Sequence, residues 1–129
     1  MDYQTVLSKL YHLVVQADND VSESEIEVGK KIFRIEGLDQ HILAQELASQ
    51  AVLDKKKGIV ECIESLKTME RPIQIRCIAW MCVVADIDWE IDEHEWAMIY
   101  DLYATSLNLP LNEIVFVQAE LTKSLLSLQ

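Results

Sequence analysis

Apolar residues recur along the chain at intervals of three and four, the spacing of helices with one buried face, and nowhere alternate as in a half-buried strand. Leu7, Leu10, Tyr11 and Val14 form the stripe of a first helix from about Tyr3 to Ala17. Ser22-Glu23-Ser24-Glu25 has the form of a capping box and opens a second helix. Its inner face carries Ile26, Gly29, Ile32 and Phe33, and Gly37 supplies its stop. Asp39 caps a shorter third helix through Ile42, Leu43 and Leu47. A fourth begins near Asp54, with Lys55, Lys56 and Lys57 on its exposed side and Ile59, Ile63 and Leu66 facing inward. Pro72 suits the first turn of a fifth, which is apolar nearly all round from Ile73 to about Ala85 and so predicts the central buried helix. Asp92-Glu93-His94-Glu95 opens a sixth with Trp96, Ile99, Tyr100 and Tyr103 inward. Pro110 ends it, and a seventh runs from about Leu111 through Ile114, Val117, Leu121 and Leu125. The pattern predicts an all-α fold, a compact bundle of about seven helices forming a single domain over residues 1–129.

A displacement of 70 positions superposes two acidic segments. Asp18-Asn19-Asp20-Val21-Ser22-Glu23-Ser24-Glu25 falls on Asp88-Trp89-Glu90-Ile91-Asp92-Glu93-His94-Glu95, with three of eight positions identical and Asp20/Glu90, Val21/Ile91 and Ser22/Asp92 similar. Each copy follows an apolar helix and opens an amphipathic one, so the bundle is built on two related helix–acidic loop–helix hairpins. Helix capping accounts for Ser22, Asp92, Glu25 and Glu95, because side-chain oxygens there accept from orphan amides and complement the dipole. Asp18, Asp20, Asp86, Asp88 and Glu90 lie upstream of the caps. Crowded carboxylates repel unless they are solvated or share a cation. Capping alone and cation binding thus both stand. In the second reading the ligands are Asp18, Asp20 and Glu25 in the first copy and Asp88, Glu90 and Glu95 in the second. An all-oxygen set favours a hard divalent ion, Ca²⁺ or Mg²⁺. Neither loop is an EF-hand: counted from Asp86, Ile91 stands where Gly is required and Ala97 where the final Glu belongs, and counted from Asp18 the same positions hold Glu23 and Gly29.

Ala17, Asp18, Val21, Ser22 and Glu25 follow the order Ala-Asp-x-x-Val-Ser-x-x-Glu, which resembles the TerB-like, or tellurite-resistance, family. The resemblance spans nearly the whole chain. It implies a compact helical bundle carrying an Ala-Asp-Gly-type motif twice, loop acids that hold a divalent metal, and a bacterial stress-response role linked to tellurite or other toxic agents. By matched position those acids are Asp18 and Glu25, then Asp88 and Glu95. Asn19 replaces the motif's Gly, a mild change because Asn tolerates the left-handed conformation. Trp89 stands there in the second copy, unless the Ala-Asp pair is Ala85-Asp86 and that loop is two residues longer.

Charge narrows the partners. Eleven basic against 22 acidic side chains give a net −11, which disfavours nucleic acid and anionic membrane surfaces and favours cations and basic protein surfaces. A metal-free interaction module with an acidic face is therefore the rival reading. Cys62, Cys77 and Cys82 form no CxxC pair and sit among apolar residues, which suits a reducing compartment rather than structural zinc. The N-terminus lacks a signal-peptide pattern, and the longest apolar run, Cys77 to Ala85, is too short to span a bilayer. The expectation is a cytoplasmic protein. No phosphate loop, Gly-x-Ser-x-Gly or His-Glu-x-x-His appears, so no enzyme is expected. His94 could recruit a transition metal or simply be solvated, while His12 and His41 read as surface or boundary residues. Trp80 and Trp96 read as core, and Trp89 either anchors a partner or folds over the helix junction. Leu121, Leu125, Leu126 and Leu128 either dock the last helix on the bundle or form a two-fold homodimer surface.

Overall fold

The computed structural model describes residues 2–15, 23–48, 55–87, 97, 99–100 and 106–127. These contain six helices and no strand: α1 (Tyr3–Val15), α2 (Glu23–Ile35), α3 (Gln40–Ala48), α4 (Lys55–Lys67), α5 (Arg71–Ile87) and α6 (Leu111–Ser127). The sixth helix expected from Asp92 falls largely outside the described residues, although Ala97, Ile99 and Tyr100 are helical.

Local chemistry sets the described boundaries. Asp2 accepts the Thr5 amide at 2.9 Å through its carboxylate and the Val6 amide at 3.0 Å through its carbonyl, which starts α1. Gly37, at φ 68°, closes α2: its amide donates to Arg34 at 3.2 Å and the Leu38 amide reaches back to Phe33 at 2.8 Å. That pair of bonds is a Schellman motif, whose left-handed residue glycine occupies without strain. Asp39 then takes the His41 amide at 2.9 Å and starts α3 as expected. The turn from α4 to α5 is pinned by Gln74, which donates to the Leu66 carbonyl at 2.6 Å.

Cross-helix contacts fix the directions of α2, α3 and α4 against α1, and of α6 against α5. Tyr3 meets Glu36, and an added Cβ on Gly29 would touch the Tyr11 ring, so α1 and α2 run antiparallel. The Asp39 amide donates to Gln4 at 2.9 Å while His12 meets Glu46 at 3.1 Å, so α1 and α3 run parallel. Lys9 pairs with Glu61 at 3.5 Å and Leu13 lies over Gly58, so α4 opposes α1. The turn after α4 sets the start of α5 beside the end of α4, and Arg76 and Trp80 bring α5 against Glu36 and, through it, Tyr3. Arg71 pairs with Glu113 at 3.3 Å, first turn to first turn, so α6 runs parallel to α5.

The core follows from this arrangement. α5 packs most extensively on α6 and also against α1, α2 and α4, and its residues Cys77 to Val84 are all buried. It is the central helix that its all-round apolar sequence predicts. Leu7, Leu10 and Tyr11 of α1, Ile32 and Phe33 of α2, Leu43 of α3, Leu66 of α4 and Ile114, Leu121 and Leu125 of α6 complete the core with Ile99. All three cysteines are free and buried.

Two sequence expectations need correction. His12 is no surface residue: α1 is covered on three sides by α3, α4 and α5, which buries its side chain completely together with Ser8. Tyr100 is 57% exposed, because successive residues on a helix point 100° apart and Ile99 takes the inward position. At the last helix Leu121 and Leu125 dock, while Leu126 and Leu111 face outward.

Candidate functional site

Of the expected cation ligands, Asp18, Asp20, Asp88, Glu90 and Glu95 lie outside the described residues, as do the side chains of Glu25 and Asp86. So do His94, Trp89, Trp96 and Ser22, the first residue of the expected capping box. Among the described residues no group of three or more His, Cys, Asp or Glu side chains is arranged to hold a metal. What the structure does fix is the set of helix ends that flank the two acidic segments. α1 ends at Val15, α2 starts at Glu23 and α5 ends at Ile87. With α1 antiparallel to α2 and α4 and parallel to α3, the end of α1 and the start of α2 lie at one pole of the bundle, with the end of α3 and the start of α4. The other pole carries Tyr3, Glu36, Asp39 and the first turns of α5 and α6.

That second pole holds a polar cluster the sequence analysis did not single out. The Glu36 side chain is only 7% exposed. Its Oε1 accepts from the Tyr3 hydroxyl at 2.6 Å, from Trp80 Nε1 at 2.6 Å and from Arg76 Nε, and its Oε2 accepts from Arg76 Nη2 at 2.7 Å. Burial pushes the Glu36 carboxyl up, but the hydrogen bonds from Arg76, Tyr3 and Trp80 together hold it below the usual carboxylate range. The same contacts raise the Arg76 guanidinium, led by the bond to Glu36, while burial and the bond to Glu36 raise the Tyr3 phenol. One buried carboxylate therefore ties α1, α2 and α5 together as a charge-fixed knot. A signal for it existed: Glu36 is an acid at the wrong end of a helix dipole, and Arg76 is the one charged residue between Ile73 and Ala85.

A second buried polar contact joins α1 to α3. His12 Nδ1 lies 3.1 Å from Glu46 Oε1, and because a carboxylate can only accept, Nδ1 carries the proton. His12 Nε2 has no hydrogen-bond partner among the described residues. Nearby, burial pushes the Cys62 thiol up to about 11 and the Cys77 thiol to about 12, so neither is a nucleophile at neutral pH.

Beside the Glu36 knot, a cleft of about 780 Å³ opens between the first turns of α5 and α6. Pro72, Ile73, Ile75, Phe116 and Val117 make its walls apolar, and Arg71, Arg76, Asn112 and Glu113 supply its polar groups. No helix among the described residues is long and apolar enough to cross a membrane.

Comparison with the curated proteins and with the solved structures returns no match. The family model described as "Tellurite resistance protein TerB" matches residues 4–117, from the first turn of α1 into α6. That match takes in both acidic segments, the first five described helices and the start of the sixth, and the chain belongs to the TerB family.

Proposed function

We propose that this TerB-family chain is a non-enzymatic domain that binds a divalent cation, Ca²⁺ or Mg²⁺, through its duplicated acidic segments, in a bacterial stress response of the tellurite-resistance type. The observation that carries the reading is the framing of the acidic segments by packed helices: α1 ends at Val15 and α2 starts at Glu23 on antiparallel helices, and the second segment follows the central helix, which ends at Ile87. A carboxylate-rich segment bordered by packed helix ends carries an electrostatic cost that a shared cation relieves. The donor set fits a hard ion, since Asp18, Asp20, Glu25, Asp88, Glu90 and Glu95 offer oxygen alone. The cation, when bound, neutralises carboxylate charge. The chain's own part is to bring the carboxylates within reach on rigid helix ends and to present the ordered surface to a protein partner.

Calorimetric titration with Ca²⁺, Mg²⁺, Mn²⁺ and Zn²⁺ tests this. Saturable heat and a raised melting temperature are expected with a hard ion, and both should vanish in the double variant Asp18→Asn/Asp88→Asn. Heat-neutral, melting-neutral results for all four ions would remove the metal. They would leave the rival reading, an acidic face that binds a basic protein directly, weakened by NaCl and indifferent to EDTA.

A further inference from the structure

The cleft at the opposite pole lies apart from the acidic segments proposed to bind the cation, and it gathers basic side chains in an acidic molecule. In a chain of net charge −11, two of the three arginines line it. We propose that this cleft is a binding site for an organic carboxylate with an apolar tail, a free medium-chain aliphatic acid.

The tail follows from the walls. Pro72, Ile73 and Ile75 of α5 face Phe116 and Val117 of α6, and Phe116 is 68% exposed. A volume of about 780 Å³ falls within the range of ligand pockets, roughly 300–1,000 Å³. An acyl chain laid between the two helices covers the Phe116 ring.

The carboxylate follows from the donors. A guanidinium has five N–H groups, and Arg76 gives its Nε–H and an Nη2–H to Glu36. Both Glu36 oxygens are already engaged, Oε1 by three donors, so the knot holds the Arg76 guanidinium at the cleft wall and leaves donors in excess over acceptors. The Arg71–Glu113 pair at 3.3 Å is exposed on both sides, and such a pair re-forms with a ligand carboxylate at little cost. α5 and α6 run parallel with their first turns at the cleft, so two helix dipoles present their positive ends to the same space. The Arg76 donors, Arg71 and the two helix ends suit an anion, and the surrounding walls favour one with an apolar body.

Titrating the full chain with octanoate, octanol and octylammonium, followed by backbone amide shifts, separates the contributions. Octanoate should bind saturably and move the signals of the first turns of α5 and α6, at least about tenfold tighter than octanol, the equivalent of one modest ion pair. Octylammonium should not bind. Phe116→Glu substitutes an exposed position, so helical circular dichroism should survive while octanoate binding is lost. Arg71→Gln should weaken octanoate severalfold and leave octanol unchanged. Equal binding of octanoate and octanol would overturn the proposal and mark the cleft as an apolar surface that another protein covers. Octanoate binding intact in Phe116→Glu, or no shift at any concentration, would overturn it equally. EDTA should change none of these results, which separates failure here from failure of the cation reading.

Discussion

Glu36 stands at the carboxyl end of α2, where a helix dipole disfavours negative charge, and within the protein rather than in water. Four donated hydrogen bonds from Tyr3, Arg76 and Trp80 offset both costs. Removing one partner of a buried charged pair leaves the other unsatisfied, a loss of about 2–4 kcal/mol. Glu36→Gln should therefore destabilise the fold by about that amount in denaturant titration, since an amide turns one acceptor into a donor facing Arg76 or Tyr3. The sign of its pH dependence follows from the lowered folded-state value. Stability from Glu36 is fully present well above the unfolded carboxyl's pKa of about 4.3 and is lost as pH falls through it toward the folded value. The gap between wild type and Glu36→Gln should be constant near neutrality and shrink in acid; a gap that widens in acid would contradict the assignment.

At the scale of elements, most of the bundle was legible because propensity, capping and periodicity agreed. Asp39, Gly37 and Pro72 are local signals with local consequences, and each does what its chemistry dictates. The misreadings have a different source. His12 is buried because three other helices surround α1, which a single stripe of apolar residues does not reveal. The knot at Glu36 joins residues 33 to 44 positions apart, beyond any local pattern. Gly29 shows both kinds of information at once: it reads as an ordinary inward position on α2, yet the structure gives it a purpose. A Cβ there would come within 2.8 Å of the Tyr11 ring and 2.9 Å of Leu43, so the Tyr11 and Leu43 side chains fit against α2 only because the residue is bare. Gly29→Ala gains about 1 kcal/mol of helix propensity against an overpacking cost of about 1–3 kcal/mol. A net loss near 1 kcal/mol is expected in denaturant titration, and a stabilised variant would mean the interface yields more readily than its burial implies.

Over the whole molecule, the helix directions sort the chemistry into two poles. One receives the ends of α1 and α3 and the starts of α2 and α4, and so the helix ends that border the first acidic segment. The other gathers the Glu36 knot, two arginines and the apolar cleft. The duplicated acidic segment was plain in the sequence, but its two copies are 70 positions apart, and how the helices that border them pack is beyond any local pattern. The most direct test is amide NMR of the chain titrated with Mn²⁺, a paramagnetic ion that accepts the same oxygen ligands. Broadening should set in at substoichiometric ion around Val15, Glu23 and Ile87 and spare Tyr3, Gly37 and Arg71 at the far pole. Broadening spread evenly over both poles, or concentrated at the arginine-bearing one, would contradict the account.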